Sequence, residues 1–114
     1  MTINTSLGTP IDRELLHNYF KRLVNHIFKI LPMRENNEET LFSYIESLQL
    51  ELLGCQSFIS KLKVDPDYLT ILSILQYLID HPDCNIRHVK REVFHAISLC
   101  NNLQRRFLPE EVSP

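Results

Sequence analysis

The sequence predicts an all-α protein, specifically a single-domain antiparallel four-helix bundle. With 114 residues the chain has the size of one compact domain, and its two glycines leave little material for the tight turns of β-sheets. Apolar residues recur every three or four positions in segments bounded by prolines and helix-capping residues. The expected helices cover about 10–31, 37–62, 66–80 and 86–107, and residues 1–8 and 108–114 are expected to be loose tails.

The first two helices follow from their start and stop signals. Thr9, Pro10 and Asp12 supply a cap, a first-turn proline and an acidic residue, and Pro32 is expected to end the helix. The second helix is expected to begin near Asn36 or Asn37. Gly54 interrupts its apolar stripe without changing the phase, which predicts one long helix bent at that point, with a break into two pieces as the alternative.

The third and fourth helices have clearer boundaries. Asp65 and Pro66 repeat the signal of a cap followed by proline, and the turn at 81–85 separates the two helices. Such short connections make consecutive helices antiparallel neighbours, in an up-down-up-down arrangement. A helix-turn-helix formed by 69–83 and 85–97 is the competing interpretation, but the apolar stripe continues past 97 to Phe107, which favours the bundle.

Composition excludes several classes of protein. The net charge is −2, so the whole molecule does not attract nucleic acid or anionic membranes, and an anion-binding surface has to be local. The chain contains no run of about 18 apolar residues, and residues 1–10 lack the features of a secretory signal. Its three cysteines match no disulfide framework. We therefore expect a cytoplasmic protein with reduced thiols, without a membrane partner.

Two patterns suggest metal ligands. Glu14 with His17 and Glu92 with His95 show the Glu-x-x-His spacing of di-iron bundles, but their helical phase points away from the interior, so we expect exposed polar positions. A second pattern, His-x2-Cys-x3-His, spans the turn before the fourth helix and offers three ligands to zinc. Its residues are His81, Cys84 and His88. A zinc-stabilised domain is therefore an alternative, although no second Cys or His pair accompanies these residues.

Catalytic patterns are missing from the sequence. There is no glycine-rich phosphate loop, and no nucleophile stands beside a recognisable base. Cys55 and Cys100 fall on apolar stripes, where thiols usually pack as small hydrophobes. We expect a non-enzymatic protein with no cofactor and no small-molecule substrate.

The fourth helix is predicted to present a basic outer face. Its candidate partner-binding residues are Arg87, His88, Arg91, His95, Arg105 and Arg106. Such a stripe suits phosphate groups or an acidic protein, and a merely solvated helix face is the simpler alternative. A nucleic-acid-binding accessory protein is accordingly one alternative function.

The second helix is predicted to carry an oligomer interface on the face opposite its core stripe. Small side chains recur there beside apolar ones, which allows another helix to approach closely. The residues are Phe42, Ser43, Ser47, Leu50, Leu53 and Gly54. The leading hypothesis is a small helical interaction or regulatory protein, homo-oligomeric, which acts by docking helix faces.

Overall fold

The computed structural model describes residues 2–4 and 10–107, and it confirms the all-α class and the helical bundle. The helices are α1 (Arg13–Phe28), α2 (Ile30–Glu35), α3 (Leu41–Phe58), α4 (Pro66–Asp80) and α5 (Ile86–Arg106), with a 3-10 helix at Ser60–Lys63. Two short strands, β1 (Thr2–Asn4) and β2 (Pro10–Asp12), precede α1. No helix within the described ranges is both long enough and apolar enough to cross a membrane.

The long helices are antiparallel neighbours. The closest packing is α1 against α5, followed by α4 against α5 and α3 against α4. Contacts between α1 and α3 run in opposite chain order, since the Tyr19 hydroxyl donates to Oε2 of Glu51 and the Tyr44 hydroxyl donates to the carbonyl of His26, both at 2.6 Å. The chain therefore follows the up-down-up-down order, and α1 and α5 lie side by side.

The first helix differs from its predicted bounds at both ends. Residues 10–12 form β2, which pairs antiparallel with β1 so that Ile3 lies opposite Ile11. Thr2–Asn4 is thus a strand, whereas 1–8 was expected to be a loose tail; the rest of that segment and the tail at 108–114 lie outside the described residues. Proline at the first position of an edge strand costs no ladder hydrogen bond, which makes Pro10 compatible with β2.

Pro32 does not end the helical region, contrary to the prediction. The break lies at Lys29, and Pro32 occupies the first turn of α2, where its missing N–H removes no helical hydrogen bond of that short helix. The proline ring crowds the carbonyl of the residue four positions earlier, which is Phe28, the last residue of α1. The proline therefore displaces the break one turn upstream.

The helix expected at 37–62 is shorter than predicted. Asn37 adopts a positive φ of 52° in the preceding turn, and α3 begins only after Thr40. At the other end Ile59 is extended, and a 3-10 helix replaces the last turn. Gly54 lies inside α3, so the helix does not break into two pieces at that residue; it ends at Phe58.

The predicted bounds of α4 are confirmed, and α5 ends one residue earlier than predicted. The Asp65 side chain caps α4 by accepting hydrogen bonds from the backbone N–H groups of Asp67 and Tyr68, both at 3.0 Å. The Asn85 side chain caps α5 through the N–H of His88, also at 3.0 Å. Because α5 is one helix of 21 residues, it has the length expected for a bundle helix rather than for a recognition helix.

The core lies where all the long helices converge. Phe20 of α1 is fully buried, and its ring meets Tyr68 edge-on at a centroid distance of 6.1 Å and Phe107 at 5.7 Å. The Tyr68 hydroxyl donates to the carbonyl of Leu52 at 2.6 Å, which satisfies the one polar group that this ring buries. Three residues of the predicted apolar stripes lie outside this core and are exposed: Leu15, Phe28 and Leu69.

Candidate functional site

The outward face of α3 is exposed along its length. The "α3 face" consists of Phe42, Ser43, Ser47, Leu50, Leu53 and Gly54, all of which are accessible to solvent. Leu50 is 64% exposed, Phe42 48% and Leu53 43%. A Cβ atom added at Gly54 would meet nothing within 4 Å, so the helix surface there is open. The six predicted interface residues therefore share one accessible surface.

The opposite side of α3 is in the core. Ile45, Leu48 and Leu52 are buried there, and among the described residues the apolar side chains of the α3 face remain about half exposed or more. The edge toward α4 is closed by a hydrogen bond from Nε2 of Gln49 to Oε1 of Gln76 at 2.8 Å. The face is thus one side of a continuous helix with a large apolar side chain, Leu50, at its centre.

Four of the predicted basic residues share the outer face of α5. Arg87, Arg91, His95 and Arg105 are exposed and lie within one sector of the helix, since each successive residue turns by about 100°. Together with exposed Lys90, these residues form the "α5 face". Glu92 is the one acidic residue in Ile86–Arg106, and it is half-buried outside this sector.

His88 and Arg106 lie at the edge of α5 that faces α4, not on the α5 face. The Arg106 guanidinium forms ion pairs with Asp65 and Asp67 at 2.8 and 2.7 Å. The His88 ring packs on Tyr77 of α4 at a centroid distance of 5.0 Å. The six predicted basic residues therefore divide between an exposed face and the seam between two helices.

The hydrogen bonding of His88 fixes its neutral tautomer. Nη2 of Arg91 lies 2.9 Å from Nδ1 of His88, and because arginine only donates, Nδ1 is the acceptor. The ring proton is then on Nε2, which is buried and lies 3.7 Å from Oε1 of Glu92. This arrangement holds the Arg91 side chain beside His88.

A shallow polar cavity of about 380 Å³ opens at the start of α5. Asn85, Arg87, His88 and Arg91 line it. Two guanidinium groups thus border one space, and their N–H groups are donors suited to an anionic oxygen group.

An exposed aromatic pair, which the sequence analysis did not single out, adjoins this basic region. Phe28 at the end of α1 is 47% exposed and Phe94 of α5 is 52% exposed, and their rings meet edge to face at a centroid distance of 6.2 Å. Phe94 lies three residues after Arg91 and four after Lys90, which puts it in the sector of the α5 face. In the sequence, the feature that could have indicated this pair is the position of Phe94 on the polar side of the predicted fourth helix.

The residues of the alternative zinc pattern, His81, Cys84 and His88, make other contacts. The His81 ring stacks on Tyr77 at 4.2 Å, and its Nδ1 donates to the Tyr77 carbonyl at 3.0 Å. The carbonyl of Cys84 accepts a hydrogen bond from Arg34 at 3.1 Å. Among the residues that the structure describes, no group of three or more His, Cys, Asp or Glu side chains is arranged to hold a metal ion. The spacing His-x2-Cys-x3-His therefore does not produce a ligand set.

The two Glu-x-x-His pairs are also separated from each other and from the interior. His17 donates from Nδ1 to the carbonyl of Gln104 at 2.9 Å, which joins α1 to α5, and Glu14 is exposed. In the other pair His95 is exposed, whereas Glu92 is near His88. Glu14 and His95, whose helical phase points away from the core, are exposed, whereas His17 and Glu92 are half-buried.

A second cavity, of about 350 Å³, lies at the end of the bundle where α2 and the turn between α4 and α5 meet. Its apolar wall includes Ile30, Ile45 and Val89, and charged groups of Arg34, Glu38, Glu39 and Asp83 line it as well. The volume is at the lower limit for small-molecule sites. The mixed charges around it select no single class of ligand.

The cysteines are free thiols. Burial raises the pKa of Cys100 to about 12, and burial also raises the pKa of Cys55. Thiols with raised pKa values are poor nucleophiles near neutral pH. Both positions therefore act as packing residues, in line with their places on the apolar stripes. Comparison with known protein families, curated proteins and solved structures finds no match to this chain.

Proposed function

We propose that this protein is a non-catalytic interaction module that assembles with a second copy of itself through the α3 face and binds an anionic partner through the α5 face. The observation that carries the proposal is the half-exposed apolar series Phe42, Leu50 and Leu53 along an otherwise well-packed helix. Burying such a series stabilises an assembly by roughly 25 cal/mol per Å² of apolar surface removed from water.

The α3 face is complementary to itself. In the proposed dimer two α3 helices pair antiparallel about a two-fold axis that passes beside Leu50. A residue a given number of positions before Leu50 in one copy then lies opposite the residue the same number of positions after Leu50 in the other copy. Leu53 then faces Ser47 of the other copy, and Glu46 faces Gly54. At these two pairs a larger side chain meets a smaller one, whereas Leu50 meets Leu50 at the axis and Phe42 faces Phe58 at the ends.

The spatial separation of the two faces supports one protein with two docking functions. The α3 face belongs to a helix that packs mainly against α4, whereas the α5 face is on the outer side of a helix that packs between α1 and α4. An assembly through α3 would therefore leave both copies of the α5 face open. Free thiols at all three cysteines fit a reducing compartment, and we include a cytoplasmic location in the proposal on that ground.

The test is the molecular mass in solution by light scattering. The wild-type protein is expected to reach twice the 13.5 kDa of one chain, and Leu50→Glu is expected to remain at one chain mass because it buries a charge at the centre of the interface. The matched control is Leu15→Glu on α1, where the replaced leucine is 62% exposed but lies outside the α3 face. Equal masses for Leu50→Glu and wild type would refute the proposal.

A further inference from the structure

We infer that the anionic partner of the α5 face is single-stranded nucleic acid. The inference rests on the proposed docking role of that face and names its ligand. It stands on three neighbouring features: the cavity bordered by Arg87, His88 and Arg91, the exposed ring pair Phe28–Phe94, and the scarcity of acidic groups on the outer side of α5.

The cavity supplies a phosphate site. Arg87 and Arg91 both line it, and residues four apart on one helix lie about 6 Å apart along the axis. Guanidinium groups bind phosphate oxygens with two parallel hydrogen bonds, and the contact of Arg91 with Nδ1 of His88 fixes where that side chain lies. The carboxylate of Glu92 lies 3.7 Å from Nε2 of His88 and is not among the groups that line the cavity.

The aromatic pair supplies a stacking surface for a base. Phe94 is about one turn further along α5 than Arg91, so a nucleotide whose phosphate occupies the cavity extends its base toward the rings. About half of the surface of each of these two residues is covered, and the other half remains accessible. Stacking on such a ring requires an unpaired base, and a duplex does not offer one.

The surface continues in both directions along the strand. Lys29 directly follows Phe28, and Lys90, His95 and Arg105 continue the basic series on α5. From Arg87 to Arg105 this helix extends about 27 Å, which is enough for several nucleotides. An anionic membrane is a poorer match, since the two rings are wedged against each other and do not form an apolar strip that inserts into lipid.

The experiment is fluorescence anisotropy with a labelled single-stranded oligonucleotide of about twelve nucleotides, as DNA and as RNA, titrated at several salt concentrations. Binding is expected with a slope of log affinity against log salt of about −3 to −4, since the five Lys and Arg side chains of this surface neutralise about five phosphates. Duplex of the same sequence is expected to bind more weakly. No binding of either strand at low salt would overturn the inference.

Variants separate stacking from charge. Phe94→Ala is expected to weaken oligonucleotide binding about tenfold with an unchanged salt slope, whereas Phe94→Tyr retains affinity because the ring remains. The double variant Arg87→Ala with Arg91→Ala is expected to weaken binding and to make the salt slope shallower. Lys61→Ala with Lys63→Ala, which removes the same charge from the 3-10 helix, serves as the control and is expected to bind normally.

Binding of two competing ligands, polyglutamate and anionic vesicles, is measured alongside the oligonucleotide. If polyglutamate binds as tightly as the oligonucleotide, or if vesicles containing phosphatidylserine bind while oligonucleotides do not, the inference is wrong. Leu50→Glu distinguishes the failure of this inference from the failure of self-assembly. A monomeric Leu50→Glu that still binds the oligonucleotide supports both proposals, whereas assembly without oligonucleotide binding would refute only the ligand.

Discussion

Nη2 of Arg106, at the last turn of α5, lies 2.8 Å from Oδ1 of Asp65, which is the capping residue of α4. One carboxylate thus holds the first turn of one helix and the last turn of its antiparallel neighbour. The pair joins the two helices at the end of the bundle opposite the turn that connects them in sequence.

Arg106→Ala is expected to lower the free energy of unfolding by about 0.5–1 kcal/mol, because the Arg106 side chain is 43% exposed and solvent screens the ion pairs. Asp65→Ala is expected to cost about 2 kcal/mol, since it removes the helix cap together with the ion pair. Urea denaturation measures both values. The control is Arg105→Ala, which removes an adjacent exposed arginine and is expected to change stability little; equal losses for all three variants would contradict this account.

Tyr68→Phe is expected to lower the free energy of unfolding by about 1–2 kcal/mol, because the hydroxyl that donates to the Leu52 carbonyl is buried. Tyr19→Phe removes a hydrogen bond to Glu51 at the surface, and a loss below about 0.5 kcal/mol is expected. Thermal and urea unfolding of the two variants provide the comparison. A larger loss for Tyr19→Phe would show that the buried hydroxyl contributes less than the geometry indicates.

Stability is expected to fall on the alkaline side of about pH 8.5, the ordinary thiol pKa. Burial raises the pKa of Cys100 to about 12, so the folded protein keeps a proton that the unfolded chain releases. The stabilisation is complete below the ordinary pKa and is lost as the pH rises toward the folded value. Burial raises the pKa of Tyr68 as well, which adds to the loss at higher pH.

Cys100→Ala isolates the thiol contribution to this pH dependence. The variant is expected to be less stable at neutral pH because of the cavity, but its free energy of unfolding should fall less steeply between about pH 8.5 and 10. Urea denaturation at a series of pH values gives both slopes. Parallel slopes for the variant and the wild type would show that the Cys100 thiol does not retain its proton in the folded state.

The register of the proposed α3 pairing is testable by charge exchange. Leu53→Glu and Ser47→Lys are each expected to weaken self-assembly, whereas the double variant recovers part of it because Glu at 53 faces Lys at 47 of the other copy twice across the axis. Sedimentation equilibrium of the three variants measures the recovery. If the double variant assembles no better than either single variant, the axis does not pass beside Leu50.

The boundaries of α4 and α5 were predictable because local chemistry determines them. Asp65 followed by Pro66 and the capping residue Asn85 start these helices by side-chain hydrogen bonds within three residues. The ends of α1 and α3 were not predictable in the same way. Pro32 was compatible with either a stop or a first turn, and Ile59 becomes extended while its side chain is buried in the core.

The candidate surfaces were also predictable only where local helical geometry determines them. Helical phase correctly predicted that the α3 face is exposed, because phase alone decides which side of a helix is opposite the core. Helical phase did not show that Arg105 lies on the α5 face while Arg106 forms ion pairs at the edge toward α4. The partners of Arg106 are Asp65 and Asp67, which are about forty residues away in sequence. The pairing of Phe28 with Phe94 likewise depends on how α1 and α5 align.

Backbone amide chemical shifts of the ¹⁵N-labelled protein, followed from dilute to concentrated solution, test the proposed self-assembly most directly. Pairing through the α3 face is expected to give concentration-dependent shifts confined to α3, strongest around Leu50 and absent in the Leu50→Glu variant. Shifts that map to α5 or α1, or spectra that stay unchanged while the mass remains that of one chain, would contradict it.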